Sequence, residues 1–166
     1  MIFVGLGSNL SSERYGNPQV ICERAIDSLE TLNIHVVQRS RWFRTAPVPV
    51  SDQPWFVNGV VAVTTDLDPA ALLAALHDIE AEFGRIRRLR NEARVLDLDL
   101  LAYDDRVMAG PEGPILPHPR LQERAFVLLP LADLAPDWRH PRSGRSIESL
   151  IADLPPDQKA EPMPSG

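Results

Sequence analysis

The sequence has 166 residues and a formal net charge of −6 at neutral pH. This length suits a single domain with a substantial hydrophobic core. The acidic balance disfavours a nucleic-acid-binding protein, and no apolar run approaches the length needed to cross a membrane. Cys22 is the only cysteine. It excludes an internal disulfide and a cysteine-built metal site, and it fits a reducing cytoplasm.

The first two thirds of the chain alternate between strand and helix patterns. The predicted order is strand, helix, strand, strand, helix, strand, over residues 2–7, 18–32, 34–44, 55–65, 69–83 and 95–103. Asn17-Pro18 and Asp68-Pro69 each place a capping side chain before a proline at the first helical position. Gly84 is a suitable C-terminal cap for the second helix. The start of the chain lacks a basic leader and a cleavage site, so we interpret it as a strand rather than a signal peptide.

The last third of the chain predicts further helices and a tail. Residues 124–134 favour a helix that Pro130 must bend or divide, and residues 147–154 favour a short helix. We expect one domain over residues 1–154 and a disordered, proline-rich tail over 155–166. The element order predicts a ferredoxin-like α+β sandwich with helices on one face of an antiparallel sheet. This fold supports many activities, so it does not decide function.

Two aspartates on the last predicted strand are the sharpest chemical feature. Because side chains alternate along a strand, Asp97 and Asp99 share one face, while Leu96, Leu98 and Leu100 share the other. Carboxylate oxygens are ligands that Mg²⁺ prefers, with water and phosphate completing its coordination. The alternative is the solvent-facing polar side of an amphipathic strand. The apolar neighbours favour the metal site, because two like charges on a central strand are costly without a cation.

A dense cluster of arginines precedes these aspartates. Only one of the 17 basic residues is lysine. Five arginines fall within ten residues of the chain, at Arg85, Arg87, Arg88, Arg90 and Arg94. Arginine makes multi-donor contacts to phosphate oxygens and keeps its charge, so the cluster predicts a polyanion site such as one for a triphosphate. A solvated charged loop is the alternative.

Nine short motifs together resemble one known family. In order they are Gly7-Ser8-Asn9-Leu10, Phe43-Arg44-Thr45, Asp52-Gln53-Pro54, Phe56-Val57-Asn58, Glu80, Gly84-Arg85-Ile86-Arg87, Arg94 to Leu101, Pro117-His118-Pro119-Arg120 and Arg124 to Leu128. Each motif is weak alone, but their joint order and spacing are specific. Over roughly residues 1–150 the chain is similar to the 6-hydroxymethyl-7,8-dihydropterin pyrophosphokinases of folate biosynthesis.

The resemblance implies an ATP-dependent reaction. In this family the pterin hydroxymethyl oxygen attacks the β-phosphorus of ATP and AMP leaves. By similarity, Asp97 and Asp99 hold two Mg²⁺ ions that bridge the ATP phosphates, and Asp99 also helps to orient or deprotonate the alcohol. Arg85 and Arg94 match catalytic arginines that neutralise charge during transfer, and Arg87 matches a triphosphate-binding arginine.

The resemblance also implies two substrate subsites. The nucleotide subsite would include His77, Glu80, Arg87, Leu100, His118 and Arg124. The pterin subsite would include Thr45, Ala46, Val48, Phe56, Asn58 and Phe126. The residues alone leave alternatives: core packing for the two phenylalanines, a structural loop role for His118 and a surface role for His77.

The expected partners are therefore ATP and the hydroxymethyl-dihydropterin. We expect a cytoplasmic monomer that binds neither nucleic acid nor membrane. Two other functions remain compatible with the motifs. One is another two-metal nucleotidyl or phosphoryl transferase on a ferredoxin-like fold; a nucleotidyl transferase or cyclase would release pyrophosphate. The other is a non-enzymatic binding domain, which would show no turnover.

Overall fold

The structure, a computed structural model, describes residues 1–84, 95–111 and 113–164. In chain order its elements are β1 (Ile2–Ser8), α1 (Pro18–Thr31), β2 (His35–Arg39), β3 (Phe43–Thr45), β4 (Phe56–Thr64), α2 (Pro69–Glu82), β5 (Asp97–Tyr103), a 3-10 helix (Leu121–Glu123), α3 (Ala125–Leu134), α4 (Ile147–Ala152) and β6 (Ala160–Pro162). Within these ranges, every helix is too short or too polar to span a bilayer.

One antiparallel sheet organises the chain. Its strands follow the order β5-β1-β4-β3-β6, and β2 also pairs with β4. The series β5-β1-β4-β2, connected through α1 and α2, is that of a ferredoxin-like sandwich, which confirms the predicted fold class. Strand β1 lies between β5 and β4. Side chains of β4 and β5 that point to the same face of the sheet therefore lie on either side of β1.

Helices cover both faces of this sheet. Val4 and Val61 face a core formed with α1 and α2. Phe3 and Val60 face a second core formed with α3 and α4, where Leu128 is fully buried. The expectation of helices on one face only is therefore wrong. Apolar residues occupy both alternating sets of positions on β1 and β4, so each face needs a covering layer.

Side-chain caps begin the first two helices at the predicted positions. Asn17 and Asp68 each accept a hydrogen bond from the backbone N–H three residues on, at 3.0 and 2.8 Å. A proline takes the first helical position in both cases. Gly84 follows α2 with a φ of 85°, a conformation that glycine adopts without strain. The capping signals in the sequence thus locate both helices correctly.

The single strand predicted over residues 34–44 is divided into β2 and β3. Ser40 donates its N–H to the carbonyl of Val60 at 2.9 Å, and the Val60 N–H donates to the Ser40 hydroxyl at 3.0 Å. A side chain thus replaces a backbone group in the ladder, and the strand breaks there. Trp42 lies over Gly59, where a Cβ atom would be 2.6 Å from the indole ring.

Helix α3 continues through Pro130 and is not divided there. Proline lacks the N–H that would bond the carbonyl of Phe126 one turn earlier. Val127, Leu128 and Leu131, on both sides of the proline, are buried against the sheet. This packing stabilises the helix on both sides of the proline. The prediction of a break at Pro130 considers only the lost hydrogen bond and not this packing.

The structure also differs from the disorder predicted beyond Pro155. Ala160–Pro162 form β6, which pairs with β3. Beyond it, Met163 donates its N–H to the carbonyl of Trp42 at 2.8 Å. Backbone hydrogen bonds to a strand edge need no apolar side chains. The polar composition of this segment therefore could not reveal the strand.

Candidate active site

Asp97 and Asp99 lie on the α3 face of strand β5. Both are half-buried, whereas Leu98 and Leu100 between and beyond them are buried in the opposite core. Strand β1 places Gly7 beside Asp97 and Gly5 beside Asp99. Since glycine has no side chain, neighbouring side chains lie over β1 here: a Cβ atom would be 2.6 Å from Asn58 Nδ2 at Gly7 and 3.4 Å from Leu101 at Gly5. Both acids are half-buried, and Asp97 also lines a cavity.

Gly7 also connects Asp97 to an amide on the other side. In register it pairs with Asp97 on β5 and with Asn58 on β4. Neighbouring strands lie about 4.8 Å apart, so the Cα atoms of Asp97 and Asn58 are separated by about 10 Å. A Cβ atom on Gly7 would lie 2.6 Å from Asn58 Nδ2. The glycine thus makes room for the amide between the two strands.

The amide of Asn58 is held in one orientation. Thr45 donates its hydroxyl hydrogen to Asn58 Oδ1 at 2.5 Å, and Asn58 Nδ2 approaches the carbonyl oxygen of Leu6 at 3.4 Å. Thr45 and Asn58 are both buried. Buried polar groups with such partners lose little entropy on binding a ligand, because they are already ordered.

A cavity of about 210 Å³ opens above this amide. Its lining comprises Ala46, Pro47, Val48, Pro49, Ser51, Gln53, Phe56, Asn58, Asp97, Arg124 and Phe126. Five of the six predicted pterin residues are in this lining, and Thr45 lies behind Asn58. Two aromatic rings and one oriented amide suit a flat ligand with polar edges. Asp97 lines the same cavity, so such a ligand would reach the first of the two aspartates.

The proline-rich segment 46–54 is tied to the end of β1. Asn9 is buried and donates from Nδ2 to Gln53 Oε1 at 3.1 Å and to the carbonyl of Pro54 at 3.2 Å. Residues Pro47, Pro49, Ser51 and Gln53 were not among the predicted site residues. A signal was present, because Asn9 and Gln53 both belong to motifs of the resemblance.

Glu80 joins α2 to the acidic strand. Its side chain is 1% exposed, and Oε2 accepts the N–H of Leu98 at 2.8 Å. Leu98 lies between the two aspartates, so Glu80 fixes the backbone that carries them. Leu100 is buried in the α1–α2 core, and its side chain therefore presents no polar group to a ligand. His77, one helical turn before Glu80, is exposed.

His118 is a neutral imidazole fixed at the edge of β5. Its backbone N–H donates to the carbonyl of Leu101 at 2.8 Å, and its Nδ1 accepts the N–H of Arg120 at 3.2 Å. Burial, helped by the charge of Arg124, lowers the pKa of His118 to about 4, although Asp97 acts in the opposite direction. With Nδ1 used as an acceptor, Nε2 carries the proton and can donate to a ligand.

Arg124 immediately precedes α3 and lies over Phe126, with its guanidinium carbon 5.3 Å from the ring centroid. It lines the same cavity as Asp97. The structure therefore brings Arg124, His118 and Asp97 to one region of the site. Arg85, Arg87 and Arg94 lie outside the described residues.

The donor set fits a metal that is completed by substrate. Within the ranges that the structure describes, there is no group of three or more His, Cys, Asp or Glu side chains that could hold a metal ion. Asp97 and Asp99 supply two hard carboxylates. Mg²⁺ in phosphate-transfer sites uses one or two protein carboxylates together with waters and phosphate oxygens. The two aspartates match that arrangement and do not match a closed, all-protein cage.

Comparison with known proteins decides the family. A family model for 7,8-dihydro-6-hydroxymethylpterin-pyrophosphokinase (HPPK) matches residues 3–136. The chain belongs to the HPPK family. The 2-amino-4-hydroxy-6-hydroxymethyldihydropteridine pyrophosphokinase of Pseudomonas aeruginosa is 44% identical over 155 residues, which are 93% of this chain and 91% of that protein. The protein of the same name from Methylorubrum extorquens is 41% identical over 155 residues, which are 93% of this chain and 93% of that protein.

Solved structures agree on the fold. A crystal structure of a Plasmodium falciparum HPPK-DHPS triple mutant superimposes with a TM-score of 0.71 at 16% sequence identity. The superposition covers 91% of this chain and 43% of that longer chain. At such low sequence identity, the superposition shows that the two chains share this fold.

Proposed function

We propose that this protein transfers a pyrophosphoryl group from ATP to the hydroxymethyl group of 6-hydroxymethyl-7,8-dihydropterin and releases AMP, as a step of folate biosynthesis. The observation that carries the proposal is the register Asp97–Gly7–Asn58. It supports the proposal because Asp97, which suits a metal and phosphate, and Asn58, which suits the polar edge of a ring, line one cavity. Membership of the HPPK family supports the same reaction.

The ring-binding end would accept the pterin. Asn58 offers a donor and an acceptor to the polar edge of the bicyclic ring, and Thr45 holds that amide in place. Phe56 and Phe126 would contact the two faces of the ring. Backbone groups near Ala46 and Val48 would complete the rim. A pterin bound this way directs its hydroxymethyl group towards Asp97.

Gly7→Ala tests this arrangement. The added methyl group would overlap Asn58 Nδ2 and displace the amide, so we expect the dissociation constant for the pterin to rise about tenfold. Gly110→Ala is the matched control, because a Cβ atom there has no neighbour within 4 Å. Isothermal titration calorimetry measures both variants. Unchanged pterin affinity in Gly7→Ala would contradict the assignment of Asn58.

The acidic end would receive the triphosphate. Asp97 and Asp99 would hold two Mg²⁺ ions, which when bound neutralise phosphate charge and align the reacting oxygens. Asp99 would also orient the alcohol and accept its proton. The alcohol oxygen then forms a bond to the β-phosphorus, the bond from that phosphorus to the oxygen bridging it to the α-phosphate breaks, and AMP leaves with that oxygen.

The nucleotide would extend from the aspartates across the β5 edge. His118 would donate from Nε2, Arg124 would pair with phosphate, and Glu80 and Leu100 would shape the subsite, with His77 at its exposed border. We propose that Arg87 binds the triphosphate and that Arg85 and Arg94 neutralise charge during transfer. Guanidinium groups suit both tasks, because they remain charged and offer several donors.

We also propose a cytoplasmic monomer that acts on two small molecules, with neither nucleic acid nor membrane as partner. The net charge of −6 opposes binding to nucleic acid and to anionic lipid surfaces. Burial raises the pKa of the Cys22 thiol above its ordinary range. A buried, inert thiol suits a reducing compartment.

Phosphorus NMR of the protein with ATP, Mg²⁺ and the hydroxymethyl-dihydropterin tests the reaction. We expect resonances of AMP and of a pterin diphosphate ester to grow in equal amounts. Release of pyrophosphate would instead indicate a nucleotidyl transferase. Absence of any product would indicate a binding domain.

A further inference from the structure

The C-terminal residues lie against both walls of the proposed pterin cavity. Strand β6 pairs with β3, so that Ala160 is opposite Thr45. One residue earlier, the carbonyl of Lys159 accepts the N–H of Ala46 at 2.9 Å. Thr45 orients Asn58, and Ala46 lines the cavity. The C-terminal segment therefore holds the rim of the cavity through backbone hydrogen bonds.

The side chain of Gln158 reaches the opposite wall. Its Oε1 accepts the N–H of Ala125 at 2.8 Å, and its Nε2 donates to the carbonyl of Glu123 at 2.7 Å. Ala125 is the first residue of α3, and Arg124 at the N-cap position makes no side-chain capping hydrogen bond. The first four N–H groups of a helix have no acceptor within the helix, and Gln158 supplies one for the first of them from 33 residues away.

This hydrogen bond lies next to Phe126, a residue of the proposed pterin subsite. Phe126, the proposed wall of the pterin subsite, is the second residue of α3. Pro130 removes the N–H that would otherwise bond the Phe126 carbonyl from the next turn. The first turn of α3 therefore has fewer internal hydrogen bonds than an ordinary helix start, and its geometry depends more on the contact from Gln158.

We propose that Gln158 is a positioning residue for pterin binding. Together with Lys159 it fixes the distance between the rim of the cavity and Phe126. The inference rests on the proposed function of the cavity. It adds a residue that affects pterin affinity and that lies outside the family motifs in the sequence, the last of which ends at Leu128.

Gln158→Leu tests the proposal, because leucine has a similar volume but forms no hydrogen bond. We expect the KM for the pterin to rise about fivefold to tenfold, as the loss of a helix cap and its neighbouring bond predicts. The KM for ATP should rise less, by about twofold at most. Arg124, which lies between Glu123 and Ala125, is one of several proposed nucleotide contacts, and Glu80 and Asp97 lie on elements that Gln158 does not contact. Asp157→Asn, at the exposed neighbouring position, is the control and should leave both constants unchanged.

Two outcomes would overturn the proposal. One is an unchanged KM for the pterin in Gln158→Leu. The other is an equal rise in both KM values with a lowered melting temperature, which would show general destabilisation. All values are relative to the wild-type enzyme, whose product is identified separately by phosphorus NMR. Failure of this inference is therefore distinct from failure of the proposed reaction.

Two further variants separate the cap from folding effects. Gln158→Glu keeps the acceptor for the Ala125 N–H but loses the donor to the Glu123 carbonyl, so it should recover part of the pterin affinity. Impairment equal to that of Gln158→Leu would contradict the capping role. If Gln158→Leu does not fold, Gln158→Asn replaces it. This variant keeps the amide on a shorter side chain and should raise the KM for the pterin about threefold. An unchanged value there would overturn the proposal.

Discussion

Replacing Asp97 with asparagine is expected to lower turnover at least about a hundredfold, the scale observed when one preorganised electrostatic group is removed from an active site. The side chain keeps its size, so the fold and the Gly7 register should persist. What is lost is a negative oxygen for the cation that accompanies ATP. Asp99→Asn should have an effect of at least this size, because Asp99 is also the proposed acceptor of the alcohol proton. Steady-state rates at saturating substrates measure both.

The control is Asp105→Asn. It makes the same chemical change on the exposed turn that follows β5, and it should leave turnover unchanged. The Mg²⁺ concentration needed for half-maximal rate should rise in the Asp97 and Asp99 variants and stay constant in the control. Near-normal rates in both site variants would contradict the metal assignment.

The second large effect is expected at the ring-binding end. Asn58→Ala should raise the dissociation constant for the pterin about tenfold to a hundredfold, because the ligand loses a donor and an acceptor at once. The substitution also leaves the hydroxyl of Thr45 without its acceptor inside the protein. ATP affinity should change much less, since Asn58 is about 10 Å from Asp97 across the sheet. Calorimetry with each ligand separately gives both constants.

Gln38→Ala is the matched control for Asn58→Ala. It removes an exposed amide from β2, which pairs with the edge of β4 opposite to β1. The substitution should alter neither dissociation constant. Equal weakening of pterin and ATP binding by Asn58→Ala would indicate a general disturbance of the sheet. That outcome would count against the pterin subsite.

Much of the fold could be predicted because its signals are local. Asn17 and Asp68 mark helix starts through their own side chains, and alternation along residues 97–100 assigns the aspartates and leucines to opposite faces. The break at Ser40 could not be predicted, because it depends on a hydroxyl that bonds a neighbouring strand. Strand β6 was hidden for a related reason: its pairing with β3 uses backbone groups and leaves no apolar pattern.

The site shows the same division. The sequence predicts four residues of the cavity lining from their side-chain chemistry and from the motifs that contain them: Asp97, Phe56, Asn58 and Phe126. The role of Gly7 needed the sheet register, since only the pairing of β1 with both neighbours shows that it separates Asp97 from Asn58. Long-range side-chain contacts, such as that of Gln158 with α3, have no signature in linear sequence.

A crystal structure with Mn²⁺, a non-hydrolysable ATP analogue and the hydroxymethyl-dihydropterin would test the central claim most directly. Anomalous scattering locates the metal without ambiguity. We expect Mn²⁺ at two positions between the carboxylates of Asp97 and Asp99 and the phosphate oxygens, with the pterin amide edge against Asn58. Carboxylates that point to bulk solvent, with metal and nucleotide bound elsewhere, would contradict the account.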